Sequence, residues 1–408
     1  MPMRPGGGAL GRTSRPMSPV LGGHRANRGA PASKWLGGIG DTSLRILCVC
    51  GARPNFMKIA PIVDALSRVD GAVTEIVHTG QHYDDRMSAW FFGELGIPEP
   101  DLNLEVGSGS HAVQTAEIMK RFEPVCVERR PDWVVVVGDV NSTIACALVA
   151  TKLGIKVAHV EAGLRSFDRT MPEEINRLLT DAISDMLLVS EPSGMSNLER
   201  EGVAKEKIHF VGNVMIDTLL RMRDRANQSD VLSRLELEPK NYAAMTLHRP
   251  SNVDDPAVFG SILSAIETIA ADMPVVFPIH PRSRARLQST GLADRAEAIA
   301  KLQLVDPLGY LDFLKLMSDA AVVLTDSGGI QEETTILNVP CLTLRHNTER
   351  PITVSHGTNR LTGTDAHAIV AAYRAVRAAP PTMGKPPELW DGRAAERIAE
   401  CLMRSPSV

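Results

Sequence analysis

From residue 45 onward the chain alternates short β-branched apolar runs with longer helical stretches, and it does so in two successive series. That alternation limits the fold more than any other feature. In the first series the strand candidates are 45–51, 74–80, 133–139, 156–163, 186–190 and 208–212. Helical stretches at 57–69, 111–129, 142–153 and 173–184 separate them. Runs such as 134–137 are apolar on both faces, which suits a parallel sheet covered by helices on each side. The second series starts near Asn241, with strands predicted at 242–248, 274–280, 302–305, 321–325 and 340–344. Two such series predict an α/β protein of two doubly wound, Rossmann-like domains facing a central cleft. Ligands in such sheets bind beyond the carboxyl ends of the strands, so functional residues are expected just after each strand.

The length of 408 residues agrees with two domains. Boundaries are expected at 44–213 and 214–390, with a last helix near 391–405 crossing back to the first domain. Residues 1–43 are rich in Gly, Pro, Ser and Arg without apolar periodicity, and read as a disordered extension. They contain no continuous apolar segment of signal-peptide type, so a cytoplasmic location is expected. A net charge of −4 gives no nucleic-acid footprint. No apolar run approaches the roughly 20 residues of a membrane span. The six cysteines lack zinc-site spacing and are too sparse for a disulfide framework. Cys48 and Cys50 alternate on one strand and are expected to be small buried hydrophobes.

The motifs fall where this fold requires them. Thr325-Asp326-Ser327-Gly328-Gly329-Ile330-Gln331-Glu332-Glu333 follows an apolar strand and opens a helix. Its small residues would let backbone N–H groups approach an anion, and the helix dipole favours negative charge there. A diphosphate fits; a plain Ser N-cap with a glycine turn would read the same way. Glu333, one turn into the helix, is placed to accept from ribose hydroxyls. On the opposite wall, Arg53 in Gly51-Ala52-Arg53-Pro54-Asn55 and Lys58 on the next helix could offset the charge of a departing diphosphate, or could be ordinary solvated cations. No Walker A pattern and no G-x-G-x-x-G after a strand is present, so neither ATP nor NAD is suggested.

Acids end the strands of the first series: Asp139, Glu161 and, opening a helix, Glu173 and Glu174. Carboxylates converging on a cleft suit general acid–base chemistry, although Glu173 and Glu174 also read as first-turn helix acids. In the second series His248 ends the first strand and His280 the next, and either could instead serve in the core or as a helix cap.

Taken together these segments resemble the non-hydrolysing UDP-N-acetylglucosamine 2-epimerases. The similarity rests on Gly51-Ala52-Arg53-Pro54-Asn55-Phe56-Met57-Lys58, Thr79-Gly80-Gln81-His82, Gly138-Asp139, His159-Val160-Glu161-Ala162-Gly163-Leu164-Arg165, Pro172-Glu173-Glu174-Ile175-Asn176-Arg177, His248-Arg249, Ser327-Gly328-Gly329 with Glu332-Glu333, and Thr348-Glu349-Arg350-Pro351, all in family order. The resemblance implies a glycosyltransferase-B-like pair of Rossmann domains, a homodimer and a UDP-sugar substrate, with no cofactor or metal. It implies that Arg53, Lys58, His248, Ser327, Gly328, Gly329, Glu333 and Arg350 hold UDP, and that Asp139, Glu161, Glu173 and His248 serve catalysis. The UDP motifs leave open a modified substrate such as UDP-2,3-diacetamido-2,3-dideoxy-glucuronate. A hydrolysing epimerase, a glycosyltransferase and a non-catalytic UDP-sugar-binding protein compete with this reading; the last two make no use of the strand-end acids.

Overall fold

The structure, a computed structural model, describes residues 43–80, 96, 98–380 and 385–405, apart from the side chains of Arg53 and Pro54. The expected extension at 1–43 lies outside the described residues save for Ser43. Two parallel sheets form the frame. The first comprises β1 (Leu44–Cys50), β2 (Ala72–His78), β3 (Leu102–Asn103), β4 (Trp133–Val137), β5 (Lys156–Ala162), β6 (Met186–Val189) and β7 (Ile208–Phe210). Its order is β3-β2-β1-β4-β5-β6-β7. The second comprises β8 (Ala243–Thr246), β9 (Val275–Pro278), β10 (Leu302–Val305), β11 (Val322–Thr325), β12 (Cys341–Thr343) and β13 (Asn359–Leu361). Its order is β10-β9-β8-β11-β12-β13. Strand order therefore reverses between β1 and β4 in one sheet and between β8 and β11 in the other, and each reversal opens a crevice at the strand ends.

The predicted strands are all present, most of them shortened at the ends where the chain turns out of the sheet. β3 and β13 were not anticipated, because two and three residues are too few to show a pattern. All five residues of β4 are buried, as a run apolar on both faces demands. Cys48 and Cys50 are buried in one apolar cluster.

The helix Val214–Ala226 leads from the first sheet into the second. Val214, Met215, Leu219 and Met222 on it join a continuous core with Phe56 and Ile59 on one side and Leu314 and Met317 on the other. The last helix, Ala394–Arg404, lays Ala395, Ile398, Ala399 and Leu402 against the helix Arg53–Leu66. Buried Asp217 caps it, accepting from the backbone N–H groups of Ala394 and Ala395 at 3.2 and 2.7 Å. Among the described residues no helix is long and apolar enough to cross a membrane.

Candidate active site

At the first crevice the chain leaves β1 and enters the helix Arg53–Leu66 almost at once, with Pro54 in a first turn that needs no N–H. Asn55 folds back over the turn. Its Oδ1 accepts from Ala52 N–H at 2.9 Å and its Nδ2 donates to the Val137 carbonyl at 3.1 Å, tying the ends of β1 and β4 together. One turn on, Lys58 is buried, and its Nζ lies 2.5 Å from Glu161 Oε2.

Glu161 reaches that position through strain. Its φ is +67°, a region that residues with a Cβ rarely adopt, and the register with β6 shifts between Val160 and Ala162. Gly163 completes the turn with φ +78°; a Cβ there would stand 2.4 Å from the Gly194 carbonyl oxygen. Strain of this kind persists only where the surroundings over-determine it, commonly at functional sites. Glu161 Oε1 is buried with no hydrogen bond to any described residue.

Asp139 follows β4 and is paired with Arg177 from the helix Pro172–Ile183. Its side chain is still 29% exposed, enough for a ligand to reach. Burial pushes its carboxyl up, but Arg177, Lys58 and Arg350 outweigh burial and hold it below its ordinary range. Asp139 is therefore a carboxylate at neutral pH. Glu173 stands apart: it is half-buried and makes no hydrogen bond or ion pair with a described residue. Its neighbour Glu174 has a structural role. It is buried, accepts from the Ser166 and Phe167 backbone N–H groups at 2.9 Å each, and pairs with Arg177 at 2.6 Å.

At the second crevice Thr246 and Thr325, ending β8 and β11, bring their hydroxyls within 2.8 Å. Asp326 is completely buried behind them. Its Oδ2 accepts from the backbone N–H groups of His248 and Arg249 at 2.9 and 2.8 Å, and its Oδ1 is 2.9 Å from His248 Nδ1. The half-exposed His248 ring is thus oriented by its inner nitrogen, and Nε2 makes no hydrogen bond to a described residue. His280 instead caps the helix Pro281–Ser289, accepting from Arg282 N–H at 3.2 Å.

Ser327 precedes the helix Gly328–Leu337 without capping it by its hydroxyl, and no acid occupies the first turn. Its leading N–H groups are arranged for an anion. A Cβ on Gly328 would stand 2.4 Å from Arg350 Nη1 and 2.8 Å from Glu349 Oε1, so the absent side chain makes room for the buried arginine. Gly329 has no such crowding; a Cβ would meet only Met215 Cε at 3.9 Å. Glu333 is buried and accepts from the Tyr310 hydroxyl at 2.9 Å; burial pushes its carboxyl up to about 7.

Arg350 joins the two crevices. It donates through Nε to Glu332 at 2.7 Å and through Nη1 to Glu349 at 2.6 Å, while Nη2 lies 3.9 Å from Glu161 Oε2. Two arms of its fork are committed to carboxylates, which leaves Nη2 as the arm for a ligand. Likewise Lys58 is buried and directs one N–H of its ammonium at Glu161.

The structure therefore gathers Lys58, Asp139, Glu161 and Arg350 into one charged cluster, buried except at Asp139. It adds Glu332, Glu349 and Arg177, to which the sequence pattern assigned no role. It sets His248, Ser327, Gly328 and Gly329 on the second wall, linked to the cluster through Arg249, whose Nη2 is 3.5 Å from Glu349 Oε1. It does not join Glu173 to the cluster. The side chain of Arg53, and Gln81 and His82, lie outside the described residues. No group of three or more His, Cys, Asp or Glu among the described residues is arranged to hold a metal ion.

This geometry has close counterparts. The chain is 42% identical over 364 residues to the UDP-N-acetylglucosamine 2-epimerase of Methanocaldococcus jannaschii, covering 88% of this chain and 99% of that protein. It is 40% identical to the UDP-2,3-diacetamido-2,3-dideoxy-D-glucuronate 2-epimerase of Pseudomonas aeruginosa, covering 88% and 100%. Among solved structures, the M. jannaschii enzyme in complex with UDP-GlcNAc and UDP superposes with a TM-score of 0.84 at 41% identity, covering 89% of this chain and all of that one. The sequence profile described as UDP-N-acetylglucosamine 2-epimerase spans residues 64–403, from the first helix to the last. With its two crevices and the charged cluster between them, the chain belongs to the UDP-N-acetylglucosamine 2-epimerase family.

Proposed function

We propose that the protein interconverts UDP-N-acetylglucosamine and UDP-N-acetylmannosamine in the cytoplasm, as a homodimer. One observation carries the reading. Ionised Asp139 and strained Glu161, from the first sheet, share a single charged cluster with Arg350 from the second, beside an uncapped helix N-terminus suited to a diphosphate.

In this reading the UDP diphosphate sits at Ser327, Gly328 and Gly329, with Arg350 Nη2, Arg53 and His248 Nε2 around it, and Glu333 beyond for the ribose. A carboxylate removes the proton from C2 of the sugar. The C2–H bonding pair becomes the C1–C2 double bond, the C1–O bond breaks, and UDP leaves with the C1–O bonding pair. Cations and oriented N–H groups stabilise the charge that develops on the departing diphosphate. UDP then re-adds to C1 of the glycal while a proton arrives on the opposite face of C2. The ionised state and partial exposure of Asp139 support it as the base. Glu161, held by Lys58, and Glu173, on the adjoining helix, complete the acid–base set.

Incubation with UDP-N-acetylglucosamine in D2O, followed by proton NMR, tests this. Product carrying deuterium at C2 is expected, and retention of the original hydrogen would sink the elimination route. The similarity to the P. aeruginosa enzyme favours a second substrate, UDP-2,3-diacetamido-2,3-dideoxy-glucuronate, and turnover of that sugar alone would make it the substrate.

A further inference from the structure

Behind Asp139 and Glu161 lies a buried pair, His159 and Asp181. His159, on β5, is fully buried. Its Nε2 is 2.8 Å from the Gly138 carbonyl oxygen, which can only accept, so Nε2 carries a proton. Its Nδ1 is 2.6 Å from Asp181 Oδ1. The other oxygen of Asp181 accepts from Gly163 N–H at 3.0 Å and pairs with Arg165 at 2.7 Å; Arg165 in turn pairs with Glu201. Burial pushes the Asp181 carboxyl up, but His159 and Arg165 outweigh burial and hold it below its ordinary range. His159 and Asp181 form a fully buried hydrogen-bonded pair, closed on its outer side by Arg165.

The two far ends of this pair fall at the two catalytic turns. Gly138, whose carbonyl His159 holds, immediately precedes Asp139. Gly163, whose N–H Asp181 holds, lies two residues past Glu161. Both glycines have positive φ, +66° and +78°; Gly138 N–H continues the β4–β5 ladder to the Val160 carbonyl at 3.0 Å, and His159 adds the link on its carbonyl side. We propose that the buried His159–Asp181 pair is a positioning clamp that sets the separation of Asp139 and Glu161, one link to each turn. The inference rests on the assignment of those two carboxylates to the chemistry at C2. Neither clamp residue touches substrate.

Two measurements test it. In 15N-histidine-labelled wild-type protein, with the His159 signals identified by their absence in His159→Gln, Nε2 is expected to carry a proton held in the bond to the Gly138 carbonyl. A bare Nε2 overturns the clamp, because that link is then not made. In kinetics, Asp181→Ala and His159→Phe each break the clamp. A misplacement on the order of 1 Å can cost about a hundredfold, so kcat should fall roughly ten- to a hundredfold while KM and UDP affinity hold. Asp181→Asn can turn its NH2 toward Nδ1 and its oxygen toward Gly163 N–H, keeping both links, and should recover most of kcat. Wild-type kcat in either clamp-breaking variant, or Asp181→Asn as impaired as Asp181→Ala, overturns the clamp. Should the breaking variants fail to fold, the Nε2 proton in wild type and the kcat of Asp181→Asn against wild type still decide it. Wild-type protein inactive on both UDP-sugars would overturn the epimerase reading instead, and the Nε2 proton is measured independently of it.

Discussion

Lys58 and Glu161, 103 residues apart in sequence, meet at 2.5 Å with both side chains buried. The pair fastens the first helix to the bulged end of β5 and fixes the direction of a carboxylate whose backbone is strained. Desolvating two charges is costly, and breaking such a pair by removing one partner strands the other. Lys58→Met should therefore lower stability by about 3–5 kcal/mol, with Arg350 at 3.9 Å offsetting part of the loss. Adding Glu161→Gln to Lys58→Met should restore most of the melting temperature but not activity. Additive losses in the double variant, measured by thermal melting, would show that the two residues are not coupled.

The frame was legible in the sequence because strands buried on both faces are written as continuous apolar runs, as in β4. Asp139, Glu161, His248 and Ser327 were legible because each sits directly past such a run. What was hidden is which charge meets which. Arg177 stands three residues from Glu174, a spacing that shows a helical pair, but its second partner, Asp139, is 38 residues back. Glu332 and Glu333 are adjacent and look equivalent in sequence, yet the helix turns one toward Arg350 and the other toward Tyr310. Glu173 and Glu174 differ in the same way: the helix buries the second and leaves the first without a partner among the described residues. Such assignments depend on the rotation of a helix about its axis and on loops from distant strands, and no local pattern encodes either.

Asp139 should separate chemistry from binding. It pairs with Arg177 and has no part in the anion site of the second sheet. Asp139→Asn should reduce kcat by about 10²–10⁴-fold, the usual contribution of a general acid–base group, with UDP affinity unchanged by calorimetry. Wild-type turnover would remove Asp139 from the mechanism.

Gly328 and Gly329 should respond differently to the same substitution. In Gly328→Ala the new methyl would displace Arg350, which Glu332 and Glu349 pin in place. UDP affinity should drop by about tenfold or more, equivalent to about 1.4 kcal/mol, together with a lower melting temperature. Gly329→Ala, with ordinary contact at 3.9 Å, should melt like wild type. Equal melting temperatures for the two variants would show that Arg350 is free to move.

Stability should fall as pH rises from about 5 to about 8. Burial, the dominant cause in each case, pushes Glu191, Glu332 and Glu333 up to about 7 from 4.5, and Asp217 up to about 6 from 3.8. Between the ordinary and the raised values the native protein holds protons that the unfolded chain has already released. Stability therefore declines across that window as pH rises through the folded-state values. Asp139, Asp181, Asp326 and Glu349 are shifted the other way, and their contribution is lost only as pH falls below the ordinary carboxylate range. The two sets place maximum stability near pH 5. Glu191 is the probe, since it is buried and accepts from the Ser193 hydroxyl. Glu191→Gln keeps an oxygen for the Ser193 hydroxyl and removes the titration. Its melting temperature should exceed that of wild type at pH 8 and match it near pH 5, giving a flatter profile. A profile parallel to wild type across that range would mean that Glu191 keeps an ordinary carboxylate pKa in the folded protein.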